Sequence, residues 1–245
     1  MTRVLATYNI KGGVGKTSAA VNLATLAAHG GSPTLLWDLD PQGASTYLFR
    51  VKPKIKGGGS KLVQGKTEAD GQIKGTDTEL LDLLPADFSY RHMDLALGDA
   101  KKPENRLGRV LKPLTDEYEF MFLDCPPSIS LVSESVFEAA DALLVPIIPA
   151  TLSSRTLDQL HSVLSSKKGP QVLGFFSMAD RRKKLHRELM DSLSAEHDVL
   201  DTVIPSSADV ERMGAERAAL VDFAPRSRAA RAYADLWAEI TARLA

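Results

Sequence analysis

Short apolar runs recur along the chain and alternate with longer stretches of helical period. Val4, Leu5 and Ala6 read as a first strand, residues 33–38 as a second and 80–85 as a third. Residues 120–124, 142–148, 172–178 and 199–204 continue the series, the last followed by Pro205. Between them the spacing predicts helices over 19–28, 86–98, 104–116, 152–166, 183–195 and 208–217, and a last one from about Arg228 to Leu244. Strands apolar on both faces, alternating with helices, predict an α/β fold: a mostly parallel twisted sheet with helices on both faces. No internal repeat or long linker divides residues 1–245, so one domain is expected.

Composition narrows the classes without choosing one. Hydrophobic residues at 44% and charged residues at 25% are ordinary for a globular chain with a substantial core. The formal net charge of −1 supplies no global attraction to nucleic acid, so any such binding must come from local patches. Cys125 is the single cysteine, which excludes internal disulfides and all-cysteine metal sites and suits a reducing cytoplasm. The first strand begins almost at Met1, so no signal peptide is expected, and no apolar run reaches the roughly 18 residues that span a bilayer.

The chemistry concentrates at the first turn. After the strand come Lys11, Gly12, Gly13, Val14, Gly15, Lys16, Thr17 and Ser18, and then a helix. Strand, glycine-rich turn and helix opening on Gly-Lys-Thr are the context of a phosphate-binding P-loop, with Ile10 in the place of the template's first glycine. Glycines let backbone N–H groups turn toward a phosphate, and the helix start adds its positive dipole end. Lys16 supplies a point charge to the outer phosphates and the Thr17 hydroxyl is placed for Mg2+. His29, Gly30 and Gly31 end the helix with glycine for a left-handed cap.

Carboxylates stand at two further strand ends. Asp38 and Asp40, in Asp-Leu-Asp-Pro-Gln-Gly, lie where open α/β sheets bind ligands. Asp124 ends the run 120–124 as a Mg2+-holding Walker B carboxylate would, and Pro126 and Pro127 stiffen the turn after it. Residues 50–78 are irregular. Arg50, Lys52, Lys54, Lys56, Lys61 and Lys66 surround three glycines with no acid before Glu68, and read either as a solvated mobile loop or short excursion, or as a basic surface for a partner or nucleic acid.

Together the stretches 11–17, 38–43 and 123–128 resemble the deviant Walker A ATPases of the ParA/MinD class, within the P-loop NTPases. Asp-Pro-Gln-Gly and Asp-Cys-Pro-Pro are similar to the ParA branch, and looser matches at 83–86, 144–146 and 224–233 extend the resemblance to about residue 240. Residues 50–78 match nothing in it. The resemblance implies an ATPase using ATP and Mg2+, slow without a partner. Lys11 would be the signature lysine reaching the partner subunit's phosphates in an ATP-dependent homodimer. Lys16 and Thr17 would serve nucleotide and metal in cis, with Pro205 also on the nucleotide. Asp40 would position or activate water near Mg2+, Asp124 would anchor Mg2+, and Asp38 would support.

The resemblance further implies non-specific DNA binding by the ATP dimer, release on hydrolysis stimulated by a separate partner protein, a cytoplasmic, nucleoid-associated protein, and a DNA or protein cargo. Two patches are candidates for the DNA contact. Arg181, Arg182, Lys183 and Lys184 open a helix against its macrodipole, and equally read as a solvated helix end. Arg226, Arg228 and Arg231 bracket the start of the last helix. With no N-terminal helix-turn-helix extension the chain is similar to the small form of the family.

A MinD-like membrane-associated ATPase is the alternative. It needs a basic amphipathic helix, whereas the last helix carries Leu236, Trp237, Ile240 and Leu244 on one face and only Arg243 late, which predicts docking on the core. A cobyrinate-type amide synthase is set aside because 245 residues leave no space for a glutaminase domain. A nitrogenase-like iron protein would need more cysteines than Cys125, and an autokinase a terminal tyrosine cluster.

Overall fold

A computed structural model describes residues 1–164 and 169–245. Its strands are β1 (Arg3–Thr7), β2 (Thr34–Asp38), β3 (Lys74–Gly75), β4 (Leu81–Leu84), β5 (Phe120–Asp124), β6 (Ala142–Ile147), β7 (Gln171–Ala179) and β8 (Val199–Pro205). They form one sheet in the order β3-β4-β2-β5-β1-β6-β7-β8, parallel throughout except for the short β3–β4 pair. The chain thus inserts β5 between β1 and β2, in a register that sets Thr7 and Asp38 on either side of Asp124. Three loops of separate sequence origin therefore leave the same edge of the sheet side by side.

The helices are α1 (Lys16–His29), α2 (Ala44–Leu48), α3 (Gly58–Val63), α4 (Met93–Gly98), α5 (Arg106–Leu111), α6 (Leu131–Ala139), α7 (Ser153–Leu164), α8 (Lys184–Glu196), α9 (Ala208–Glu216), α10 (Leu220–Phe223) and α11 (Arg228–Leu244). Strand residues alternate between two cores: Val4, Ala6 and Trp37 face one, Leu5, Leu36 and Phe122 the other. Side chains of α3 to α8 fill the first, and those of α1, α2 and α9 to α11 the second. The last helix docks as its pattern predicts: Tyr233, Leu236 and Ile240 are buried, and the Trp237 ring meets Phe120 edge-on at 5.0 Å. Helix α1 ends in a Schellman turn, with Gly31 left-handed and the N–H groups of Gly31 and Ser32 returning to the carbonyls of Ala28 and Ala27.

Several elements differ from the periodic reading. The helix expected over 86–98 is a 3-10 turn at Phe88–His92 followed by α4, because the Asp87 side chain accepts the Ser89 N–H and tightens the start. The helix expected over 104–116 shrinks to α5 with 3-10 turns at either end, since Pro113 cannot continue an α-helical ladder. Leu80 is excluded from its strand by a left-handed φ of 61°. Helix α7 begins one residue late, and residues 165 and 166 of its expected span lie outside the described residues. Helices α2, α3, α6 and α10 are additional; α6 opens on a Ser130–Ser133 capping box, which lacks the usual acidic partner.

The largest correction concerns residues 50–78, which are packed and not a mobile loop. Ile55, Leu62, Val63 and Ala69 belong to the core. The N–H groups of Ile55, Lys56 and Gly59 donate at 2.8 Å to Asp87 Oδ2, Gln72 Oε1 and Ser89 Oγ. Burial alone would raise the Asp87 carboxyl, but hydrogen bonds from Ile55 and Ser89 outweigh it and hold the group below the usual range. Gly59 lies so close to Tyr90 that an added Cβ would come within 2.3 Å of its ring.

Gly59→Ala is expected to destabilise the protein by about 1–3 kcal/mol through overpacking, whereas Gly71→Ala, with nothing within 4 Å, should stay within about 0.5 kcal/mol of wild type. Equal urea midpoints for the two variants would mean that the segment is not packed as described.

Candidate nucleotide and metal site

The loop after β1 is held open by its own polar groups. Asn9 Oδ1 accepts the Lys11 N–H at 2.9 Å while Asn9 Nδ2 donates to the Pro146 carbonyl at 2.9 Å, pinning the loop entrance to β6. Tyr8 Oη donates to the Ser128 carbonyl at 2.9 Å, which ties the loop to the turn after β5. Gly13 (φ 71°) and Gly15 (φ 96°) take the left-handed conformation that turns successive N–H groups inward, whereas Ile10 has no positive φ and needs no glycine. Helix α1 follows with no side-chain cap and no acid in its first turn, so its leading N–H groups, with Thr17 and Ser18 beside them, face the loop. Val14 is buried beneath it.

Two lysines on this loop have opposite dispositions. Lys16 is only 7% exposed, and its Nζ donates to the Lys11 carbonyl at 3.0 Å, closing the cradle. Burial lowers the Lys16 pKa, opposed by the nearby Asp124, Cys125 and Asp40. The Lys11 side chain is exposed and forms no ion pair with a described residue. Gly12 is exposed beside Pro127.

The three aspartates meet at the adjoining strand ends. Asp124 is fully buried, and its Oδ2 accepts from Ser45 Oγ at 2.7 Å. Burial pushes the Asp124 carboxyl up, against hydrogen bonds from Ser45 and Thr17. Asp38 is also buried; its Oδ2 accepts the N–H and hydroxyl of Thr46 at 2.8 and 2.7 Å, and its Oδ1 accepts the Asp40 N–H at 3.3 Å. Its carboxyl is raised by burial and then by Asp124. With both oxygens spent on the loop, Asp38 is a support. Asp40 is half-exposed and accepts the Gln42 N–H at 2.9 Å. Thr17 and Asp124 offer hard oxygens on one side of the cradle, a donor set that suits Mg2+ completed by phosphate oxygens and water. Cys125 is buried, with its thiol pushed up, and is no nucleophile.

Ser45, Thr46 and Asn9 escape sequence reasoning because a lone serine, threonine or asparagine carries no motif; only the register of β2 against β5 gives Ser45 its partner. Ser177 on β7 is a fourth: a Cβ at Gly15 would lie 2.8 Å from its Oγ. Pro205 ends β8 opposite Ala179, partly exposed on the same sheet edge but with no described contact to the loop. The basic candidates lie apart from this site. Arg182 is paired with Asp180 at 3.0 Å and Lys184 with Glu188 at 3.4 Å, leaving Arg181 and Lys183 without an ion pair to a described residue. Arg226, Arg228 and Arg231 are all exposed and unpaired among the described residues, around the Ser227 cap of α11.

The family model described as an AAA domain matches residues 2–169. The sporulation initiation inhibitor protein Soj of Bacillus subtilis is 28% identical over 251 residues, covering 99% of each chain. The chromosome partitioning protein ParA of Caulobacter vibrioides is 29% identical over 98% of this chain and 94% of its own. Among solved structures, the cobyrinic acid a,c-diamide synthase of Mycobacterium smegmatis with bound ATP analog and magnesium is similar, with a TM-score of 0.85 and 25% identity over 98% of this chain and 94% of that one. A chain bearing that name thus has a matching length, so length does not set the amide-synthase reading apart.

Ser45→Ala leaves Asp124 Oδ2 buried without its donor. A loss of about 1–3 kcal/mol in metal-free urea unfolding is expected; an unchanged midpoint would show that the 2.7 Å contact carries no stability.

Proposed function

The chain belongs to the AAA domain family and is a ParA-type ATPase of the deviant Walker A class, and from that premise we propose that it dimerises on ATP and binds DNA non-specifically. It uses the cycle to position or segregate a DNA or protein cargo, hydrolysis to ADP and phosphate resetting it. The observation that carries this reading is the division of labour between the two loop lysines. Lys16 is folded into its own cradle, whereas Lys11 is exposed and paired with no described carboxylate, which leaves its charge available to the phosphates of a second copy. Ile129 and Leu152, 56% and 64% exposed after β5 and β6, supply apolar surface beside the loop for that second copy to cover.

Within one protomer, loop N–H groups and Lys16 bind and orient the phosphates. Thr17 and Asp124 hold Mg2+, which when bound neutralises charge developing on the phosphoryl oxygens. Asp40 orients the attacking water and accepts its proton, with Asp38 fixing the loop that carries it. Lys11 of the second copy adds the cation that stabilises the transferring phosphoryl, as an arginine finger does. Pro205 borders the nucleotide on the β8 side. Hydrolysis is slow until a separate partner protein engages the dimer. Arg226, Arg228 and Arg231 are the stronger DNA candidates, because the 181–184 cluster is partly neutralised by Asp180 and Glu188. The names of the Soj and ParA relatives support a partitioning role, and the nucleoid is the expected location. Among the described residues no helix is long and apolar enough to cross a membrane.

Lys11→Ala should bind ATP yet stay monomeric on sizing; an ATP dimer of that variant would overturn the trans role. Asp40→Ala should slow hydrolysis by about 10²–10⁴-fold and be retained on non-specific duplex DNA with ATP and Mg2+ but not ADP. Its log affinity should fall with log salt by about 0.9 per phosphate neutralised. A clear ATP dimer that ignores DNA and binds anionic vesicles would favour the membrane alternative.

A further inference from the structure

The function just proposed leaves the lysines of residues 50–66 unused, although the fold displays them in a defined way. Lys52, Lys54, Lys56, Lys61 and Lys66 are all exposed, and none is ion-paired with a described residue. No acid occurs between 51 and 67. Of the nearby carboxylates, Asp77 is paired with Arg50 at 2.9 Å and Asp87, which accepts the N–H groups of Ile55 and Ser89, faces Lys54 without a direct ion pair, while Glu68 and Asp70 follow Lys66 in sequence. A chain of net charge −1 therefore concentrates five lysines without a direct ion pair on one segment. That segment is fastened by buried Ile55, Leu62 and Val63 and by three backbone hydrogen bonds at 2.8 Å, so the charges project from fixed backbone. Like charges gathered this way repel one another, and a polyanion relieves the repulsion.

We propose that Lys52, Lys54, Lys56, Lys61 and Lys66 form a second surface for the phosphate backbone of duplex nucleic acid, distinct from Arg226, Arg228 and Arg231. The inference rests on the DNA-binding reading above and deepens it. The chemistry favours nucleic acid over an acidic peptide. Within 52–66 no aromatic residue occurs and Ile55, Leu62 and Val63 are buried, so the stretch itself carries none of the anchors a protein hot spot requires, Phe88 lying beside it and outside it. Hydrated lysine point charges are what sequence-independent phosphate contacts need. The two basic surfaces also lie on opposite sides of the sheet. Ile55, Leu62 and Val63 pack into one core, while Ala229, Ala230 and Tyr233 at the start of α11 pack into the other. One protomer then presents charge to two separate segments of duplex, and the protein bridges them.

The test uses the full chain with ATP and Mg2+, its five-lysine glutamine variant, a five-lysine arginine variant and an Arg226/Arg228/Arg231→Ala variant. Matched urea midpoints establish that each is folded. Affinity for a non-specific duplex is measured across a salt series, together with capture of a free labelled duplex by the same duplex on beads. The glutamine variant should still bind one duplex, with an apparent log–log salt slope, summed over both surfaces, shallower by about 4.5 (about 0.9 for each of five lysines), and should no longer capture the second. The arginine variant should do both. An unchanged slope and unchanged capture in the glutamine variant overturn this inference alone, leaving the DNA-binding reading standing. A wild type that holds no duplex overturns both. Wild-type preference for polyglutamate over duplex at equal charge, lost in the glutamine variant, would assign the surface to an acidic protein and overturn the proposal.

Discussion

The nucleotide end of this molecule depends on a carboxylate buried at the centre of a parallel sheet. Taking a carboxylate such as Asp124 out of water costs on the order of several kcal/mol unless partners replace the lost solvent. The fold supplies them from neighbouring elements: Ser45 on α2, Thr17 and more remotely Lys16 at the start of α1, and the Thr7 hydroxyl at a longer 3.5 Å from the adjacent strand. Each partner is fixed in turn. Lys16 is tied to the Lys11 carbonyl, and Ser45 sits on a short helix whose next residue, Thr46, clasps Asp38. The segments that follow β1 and β2 are thus tied to one buried carboxylate at the end of β5.

This explains how a rigid sheet serves a cyclic activity. The β1, β2 and β5 strands are buried in two cores and fix the positions of Asp38 and Asp124. Lys11, Gly12, Asp40 and Ile129, by contrast, lie on loops at the edge, exposed or half-exposed. In the proposed cycle the phosphates would meet the fixed parts and a partner the exposed ones. The basic surfaces lie farther out, on elements that touch neither the loop nor the carboxylates.

Much of this was legible in the chain. The loop 11–18 is read from a contiguous motif whose geometry is local: glycines permit the left-handed turns and the following helix supplies the N–H groups. The apolar runs identify β1, β2, β4 to β8 and α11, because burial on both faces leaves an unmistakable composition. Legibility failed where a local pattern competes with tertiary packing. Residues 50–78 read as loop because glycine and lysine dominate, yet Ile55, Leu62 and Val63 anchor them once Gln72 folds back within the segment and Asp87 and Ser89 arrive from beyond it. Helices α2 and α10 are too short to show a period.

The sequence by itself determined the class of fold, the phosphate-binding loop and the identity of the candidate carboxylates, since each follows from residue types at short, fixed spacings. Only the tertiary structure decided how those pieces are used. The insertion of β5 between β1 and β2 brings Asp124 beside Asp38 and under Ser45, a partnership across 79 residues that no spacing encodes. It also decided that Lys16 is buried and Lys11 exposed, and that residues 55–63 and the start of α11 pack into cores on opposite sides of the sheet. Direction and distance between remote residues are set by strand order and packing, which the linear pattern does not carry.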